Sequence, residues 1–260
     1  MSSGLFYKNR SVFFIITSRL ISRSLRERRR EPILQFFMIN RPIWETLHKE
    51  LSAAGATLVA VSKTKPASDI QELYDLGQRH FGENYVQELV TKQAELPADI
   101  FWHYIGHLQS NKVKYIAPFV HLIHAVDSFS LLKEINKQAQ KNGRTIDALL
   151  QMHIADEETK FGMDEADIFE LLEYYTAQKE ELKNVRICGL MGMGSNTDDE
   201  QKIRSEFARL NNFFIHLAET TFLGKAYFAH RSIGMSSDYK IALAEGGNMV
   251  RIGSMLFGSR

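Results

Sequence analysis

Apolar and polar positions follow two alternating periods along residues 41–260. Short apolar, β-prone runs recur, and each is followed by a segment with apolar residues three to four positions apart. Such runs predict strands buried on both faces, and such segments predict amphipathic helices. The predicted strands are residues 58–62, 80–82, 102–105, 122–126, 148–154, 185–191, 227–233 and 249–252. The predicted helices are residues 42–51, 67–76, 83–94, 108–117, 129–140, 164–178, 199–221 and 239–244.

Eight strands that alternate with helices predict an α/β fold, a single (β/α)8 TIM barrel. A chain of 260 residues suits one such domain, and residues 41–260 contain no low-complexity linker. Residues 1–40 differ, because eight Lys and Arg residues stand there against Glu27 and Glu31. We predict a basic, disordered extension or sequence upstream of a normal start at Met38, with a transit peptide as the less favoured interpretation.

Composition narrows the class of protein. A formal charge of +1 gives no reason to expect nucleic acid as a partner, and no stretch reaches the length of a membrane span. Cys188 is the only cysteine, which excludes an intramolecular disulfide and indicates a reducing compartment. The sequence therefore predicts a soluble cytoplasmic protein with a buried Cys188.

The most informative residue is Lys63, in the segment LVAVSKTKP that ends the first predicted strand. An amine at the mouth of a buried strand is desolvated, which lowers its pKa and makes it a nucleophile toward carbonyl groups. This arrangement favours Schiff-base formation. If Lys63 is considered without the rest of the sequence, the alternative interpretation is a solvated surface lysine that caps a strand.

Six motifs occur in one order along the chain. They are AVSKTKP, FGENYVQE, WHYIGHLQSNK, ICGLM, SIGMSSD and MVRIGSMLFGSR. Together they resemble the pyridoxal-phosphate-binding homeostasis protein family, related to the barrel of alanine racemase and to fold type III of the enzymes that use pyridoxal 5′-phosphate (PLP). The resemblance implies PLP on Lys63, release of PLP to apo PLP-dependent enzymes, a monomer, and no established catalysis.

The strand ends hold the other residues of the predicted cofactor site. Hydroxyl and backbone groups after strands seven and eight would face the phosphate, since barrels commonly bind phosphate there. By analogy, Arg251 would face the pyridine nitrogen, and Asn84 would contact the ring unless it caps the next helix. The predicted phosphate-binding residues are Ser232, Ser236, Gly253 and Ser254.

Two further lysines match lysines of the family that lie near the pocket, Lys65 and Lys160. Each is either a relay for the aldehyde or an ordinary solvated lysine, and Lys160 is the less secure because its surroundings depart from the family pattern. Ser254 replaces the usual threonine and keeps the hydroxyl. His103 is expected to be a hydrogen-bonded core residue. The nine histidines show no Cys/His ligand spacing, so no metal is predicted.

Two other functions remain as alternatives. An amino-acid racemase of the alanine racemase type would need a second acid/base group, which the racemases take from a further C-terminal domain, whereas this sequence ends at Arg260. The hypothesis of an RNA-binding protein depends on the basic residues 1–40 alone and is the least favoured of the three functions.

Overall fold

The computed structural model describes residues 39–155 and 161–258. In chain order these residues form α1 (Arg41–Ala53), β1 (Thr57–Val61), α2 (Ala67–Asp75), β2 (His80–Glu83), α3 (Val86–Glu95), β3 (Phe101–Tyr104), a 3-10 turn (Ser110–Lys112), α4 (Val113–Ile116), β4 (Leu122–Val126), α5 (Phe129–Lys141), β5 (Ile146–Gln151), α6 (Glu165–Ala177), β6 (Val185–Met191), α7 (Glu200–Glu219), β7 (His230–Ser232), α8 (Tyr239–Ala244), β8 (Met249–Ile252) and α9 (Ser254–Phe257).

The eight strands form one closed, parallel barrel in sequence order, in which β8 pairs with β1. At the closing seam Val59 is opposite Arg251. All five side chains of β4 are buried, as expected for a parallel strand covered on both faces. The predicted TIM barrel is therefore confirmed, and its parallel strands bring their carboxyl ends to one mouth.

Alternation along each strand divides the apolar residues into two cores. In β1, Val59 belongs to a small cluster inside the barrel, whereas Leu58 and Ala60 belong to the large core beneath the helices. The inner cluster also contains Leu149 and Cys188, so the predicted burial of Cys188 is confirmed. Burial raises the pKa of that thiol to about 12, which keeps it unreactive.

Several element boundaries differ from the sequence prediction. Glu83 ends β2, opposite Tyr104, so the next helix begins only at Val86. The region predicted as one helix over 108–117 is a 3-10 turn followed by a four-residue helix. The seventh strand is limited to three residues, which pair with β6, and of these Ser232 also pairs with β8. A short final helix, α9, was not predicted.

The predicted extension, residues 1–40, lies outside the described residues except for its last two. Ile39 is buried in the large core. The Asn40 side chain accepts a hydrogen bond from the backbone N–H of Ile43 and caps α1, and its own N–H donates to the carbonyl of Leu256 over 2.7 Å. These two residues therefore belong with the barrel.

Across the described residues, no helix combines the length and apolar character needed to cross a lipid bilayer.

Candidate functional site

A cavity of about 430 Å³ lies at the carboxyl ends of the strands. Its walls come from the segments that follow β1, β2, β3, β6, β7 and β8. The lining residues are Val61, Lys63, Thr64, Lys65, Asn84, Ile105, Met193, Met235, Ser236, Ser237, Arg251, Gly253, Ser254, Phe257 and Gly258. Six of the seven residues predicted to contact the cofactor, Lys63 among them, are thus brought to one place.

Lys63 lies in a tight turn two residues beyond the end of β1. The backbone N–H of Lys65 donates to the carbonyl of Ser62 over 3.0 Å and closes that turn. Thr64 has a φ of +65°, a left-handed conformation that is unfavourable for a β-branched residue. Strain of this kind persists only where neighbouring contacts enforce it.

The neighbouring contacts come from three charged side chains beside the turn. Lys92 Nζ donates to the carbonyl of Ser62 over 2.8 Å and to carboxylate oxygens of Glu83 and Glu88 over 2.7 and 2.6 Å. Glu88 in turn accepts the backbone N–H of Thr64 over 2.6 Å. The residues before and after Lys63 are thus both fixed by one ion network, which holds the backbone of the turn.

Burial dominates the electrostatics of this network. Desolvation raises the pKa of Glu83, against the charge and hydrogen bond of Lys92, which lower it. Sequence reasoning missed the network because it assigned residues 83–94 to a helix. The signal that could have revealed it was the Glu88–Lys92 spacing of four residues, which places an ion pair on one helix face.

Asn84 follows β2 directly and lines the cavity. Tyr85 occupies the N-cap position of α3, so Asn84 does not cap that helix. The side-chain oxygen of Asn84 is buried and has no hydrogen-bond partner, a costly arrangement for a polar atom. Such an atom at the wall of a cavity marks a position where a bound molecule would donate a hydrogen bond.

Arg251 is buried at the base of the cavity. Its Nη1 donates to the carbonyl and hydroxyl oxygens of Ser232 over 2.6 and 2.8 Å, and its Nη2 donates to the carbonyl of Gly192 over 2.9 Å. Burial lowers the pKa of Arg251 to about 10, an effect that the charge of Asp238 partly offsets. The guanidinium therefore stays protonated at neutral pH, in a fixed position.

The structure gives Ser232 a different place from the predicted one. Its side chain is fully buried in β7, and its hydroxyl contacts Arg251 and lies 2.9 Å from His124 Nδ1. Ser232 thus positions Arg251 from below, whereas Ser236, Gly253 and Ser254 line the cavity as expected. Ser232 lies within β7 and is fully buried there, while the other three residues lie beyond the strand ends, at the mouth.

Of the two further lysines predicted near the pocket, the structure describes only Lys65. Lys65 lines the cavity, and its Nζ donates to the carbonyl of Phe257 over 2.8 Å. Lys160 lies outside the described residues.

A row of histidines extends from Ser232 toward the opposite end of the barrel. His124 Nε2 lies 2.8 Å from His103 Nδ1, and His103 Nε2 lies 2.9 Å from His80 Nδ1. Burial lowers the pKa of His103 and His124 well below the ordinary value and that of His80 to about 4, so the row is neutral at neutral pH. The expected core role of His103 is confirmed. The row escaped sequence reasoning because its members lie about twenty residues apart on three strands.

A TIM barrel with a lysine after its first strand and an arginine in its eighth defines the class, the barrel shared with alanine racemase. The family described as "Alanine racemase, N-terminal domain" matches residues 44–260, and the chain belongs to it. Within that class the chain belongs to the pyridoxal phosphate homeostasis proteins. The protein of that name from Aquifex aeolicus is 38% identical over 224 residues, 84% of this chain and 95% of the relative. The one from Escherichia coli K12 is 39% identical over 212 residues, 78% and 86% of the two chains.

Solved structures agree with this assignment. PipY of Synechococcus elongatus PCC7942, solved with PLP bound, is 37% identical with a TM-score of 0.72, over 83% of this chain and 100% of that one. The same protein without PLP gives a TM-score of 0.75 at 36% identity, over 84% and 99%. Alanine racemase from Bartonella henselae, at 16% identity and a TM-score of 0.58 over 83% and 58%, shares the fold. The resemblance seen in the six motifs is confirmed.

Proposed function

We propose that this protein binds PLP as a Schiff base on Lys63 and supplies it, as a cytoplasmic monomer, to PLP-dependent enzymes. The observation that carries the proposal is the meeting of Lys63, Asn84 and Arg251 in one cavity at the mouth of the barrel. The homologous PipY, solved with PLP bound, supports the choice of ligand.

The cavity fits the chemistry of PLP. This cofactor supplies an electrophilic aldehyde, a ring hydroxyl and nitrogen, and an anionic phosphate. The unsatisfied oxygen of Asn84 can accept a hydrogen bond from the ring hydroxyl. Ser236 and Ser254 offer hydroxyl donors, and Gly253 allows backbone to approach closely, as a phosphate requires.

Lys63 has the covalent role. Its amine would supply the nucleophile for a reversible Schiff base with the aldehyde of PLP, with loss of water. Hydrogen bonds from Thr64 to Glu88 and from Lys92 to Ser62 hold the backbone on either side of Lys63, which lines the cavity wall. The reverse reaction with water releases the aldehyde, so binding is reversible.

Arg251 limits what the site does with the bound ring. A guanidinium that stays protonated can donate a hydrogen bond to a pyridine nitrogen but cannot accept its proton. A ring without that proton is a weaker electron sink, which favours storage of the cofactor over carbanion chemistry. The three hydrogen bonds to Ser232 and Gly192 hold Arg251 for this role.

Borohydride reduction tests the covalent assignment. Reduction of the PLP-loaded protein, followed by peptide mapping, should place the pyridoxyl group on Lys63. Lys63→Ala should lose the Schiff-base absorbance band, whereas Lys65→Ala, the matched control in the same turn, should retain it. A pyridoxyl group found mainly on Lys65 or Lys160 of the wild type would show that the assignment is wrong.

Delivery needs its own measurement. The PLP-loaded protein, freed of unbound PLP, is mixed with an apo transaminase, and in a parallel sample a dialysis membrane separates the two proteins. We expect transaminase activity to return faster in the mixed sample. Equal rates in the two arrangements would reduce the role of the protein to storage.

The alternative function is amino-acid racemisation, which needs acid/base groups on both faces of the substrate. Among the described residues that line the cavity, none is a tyrosine. Tyr239, the candidate that follows β7, donates to Glu50 Oε2 over 3.1 Å. We expect negligible D-alanine when the PLP-loaded protein is incubated with L-alanine and analysed by chiral chromatography. Robust D-alanine formation that Lys63→Ala abolishes would support the racemase instead.

A further inference from the structure

Three histidines meet at the amino-terminal end of the barrel, opposite the candidate cofactor cavity. His80 begins β2, His103 lies within β3, and His121 precedes β4 by one residue. One ring nitrogen from each lies within 4.8 Å of the other two. The pairing of β2 with β3 and of β3 with β4 brings together residues that are far apart in sequence.

We propose that His80, His103 and His121 form a binding site for one zinc ion. Zinc is held by imidazole nitrogens at about 2.0–2.1 Å in tetrahedral geometry, which sets the ligand nitrogens about 3.3 Å apart. His80 Nδ1 and His103 Nε2 are 2.9 Å apart, and His121 lies within 4.8 Å of both, so small ring rotations complete the arrangement. His121 is exposed, which leaves the fourth position to water.

The donor set selects the type of metal. Three imidazoles without a carboxylate suit zinc and its neighbours copper and nickel, and they do not suit magnesium or calcium, which prefer oxygen. The Asp147 carboxylate, whose charge acts on His121, is held by Arg186 through two hydrogen bonds of 2.7 and 2.8 Å. That carboxylate therefore adds little net negative charge to the site.

Neighbouring groups hold the rings as a second shell of a metal site would. The ring of Phe101 packs against those of His80 and His121, with centroids 4.8 and 4.7 Å apart. His103 Nδ1 lies 2.8 Å from His124 Nε2, so a metal on its other nitrogen leaves an N–H to donate to that acceptor.

Zinc at this site also fixes the hydrogen-bond direction along the histidine row. With the metal on His103 Nε2, its Nδ1–H donates to His124, and the Nδ1–H of His124 then donates to the hydroxyl of Ser232. Without the metal, the opposite direction is equally allowed. The ion would thus select one of two hydrogen-bond arrangements beneath Arg251.

Zinc titration of the tag-free full chain, first stripped with a chelator, tests the site. We expect one zinc per chain, measured by competition with a chromophoric chelator, and an intense visible spectrum when Co²⁺ replaces zinc, as for tetrahedral coordination. His121→Ala removes an exposed ligand, so the fold should survive, and zinc affinity should fall at least about 10-fold. His80→Ala should act likewise.

The matched control is His216→Ala, which removes an exposed histidine from the end of α7. This variant should bind zinc as tightly as the wild type. The proposal fails if His121→Ala and His80→Ala keep the wild-type affinity, or if the wild type binds no zinc at micromolar concentration. Because zinc binding is measured without PLP, a failure here leaves the proposed PLP function unaffected, and the reverse also holds.

Discussion

At the scale of single residues, the buried ion pair of Lys92 and Glu83 decides how firmly the turn of Lys63 is held. The two side chains are 6% and 0% exposed, and the hydroxyl of Ser62 also donates to Glu83 over 2.6 Å. A buried carboxylate without its cation is strongly destabilising, because desolvation is no longer offset by charge attraction. Lys92 therefore serves both stability and the geometry of the site.

We predict that Lys92→Met lowers the free energy of unfolding by about 3–5 kcal/mol at neutral pH. The remaining Glu83 would have an even higher pKa, since Lys92 lowers it in the wild type. A carboxyl group whose pKa is raised by folding favours the folded state at low pH, and that contribution disappears as pH rises through the raised pKa. The deficit should therefore be larger at about pH 8 than at about pH 5.

Urea denaturation of the wild type and the variant at both pH values measures this effect. Lys133→Met, which removes an exposed lysine from α5, is the control and should change stability little. Glu83→Gln added to Lys92→Met should recover part of the loss. A deficit that does not depend on pH would contradict the role given to Glu83.

The strained turn residue gives a second prediction. Thr64→Gly removes the cost of a left-handed β-branched residue, about 1–2 kcal/mol, and adds about 0.5–1 kcal/mol of backbone entropy. We expect stability equal to the wild type or higher. Thr91→Gly, the same exchange at an exposed helical position in α3, should instead be destabilising. Thermal unfolding measures the stability of both variants. A greater loss of stability in Thr64→Gly than in Thr91→Gly would contradict the conclusion that the backbone of Thr64 is strained.

Local sequence signals identified some residues of the site and missed others for a physical reason. Lys63, Asn84, Gly253 and Ser254 follow strands directly, so the barrel rule was enough to bring them to one mouth. The contacts of Ser232 with His124, and of Lys92 with the turn, depend on which way side chains face across the barrel. Such contacts exist only once the strand register is set.

At the scale of elements, an irregularity in β6 is the feature that sequence periodicity could not show. The register between β5 and β6 shifts so that Leu149 pairs with Gly189 instead of Cys188. Gly189 has a φ of +150°, and a Cβ there would come within 1.9 Å of the carbonyl oxygen of His230 in β7. The position therefore requires glycine, both for its backbone conformation and for the close approach of the next strand.

We predict that Gly189→Ala lowers the free energy of unfolding by about 3 kcal/mol or more, because backbone atoms must move apart. Gly143→Ala is the matched control. That glycine also has a positive φ, of 62°, but an added Cβ would meet nothing within 4 Å, so the cost should be about 1 kcal/mol. Equal losses in chemical denaturation would show that β6 and β7 separate easily at this point.

Strand and helix order was predictable, whereas several boundaries were not. The order follows from apolar periodicity, which the closed barrel preserves from β1 to β8. The boundaries depend on pairing between strands. The sequence predicts Glu83 as the first residue of a helix, yet Glu83 extends β2 because it pairs with Tyr104 of β3. Tertiary pairing thus overrides local propensity at the ends of elements.

At the scale of the whole molecule, the barrel separates two sites along its axis. The candidate PLP cavity lies at the carboxyl ends of the strands, and the proposed zinc site lies at their amino ends. A row of hydrogen bonds connects the two sites through His80, His103, His124, Ser232 and Arg251. The carboxyl end could be anticipated from sequence, because active sites of this fold occur there, whereas no such rule directs attention to the other end.

The last prediction concerns how much of the chain the barrel needs. The described contacts begin with Ile39 in the core and with Asn40, which caps α1 and bonds Leu256 of α9. We expect a chain of residues 38–260 to unfold at nearly the same temperature as the full chain and to bind PLP equally well. Calorimetry and PLP absorbance measure the two properties. As a control, Asn40→Ala in the shorter chain should cost about 1 kcal/mol, the usual value of a lost N-cap. A large loss of stability or of PLP occupancy on removal of residues 1–37 would instead make that segment part of the functional barrel.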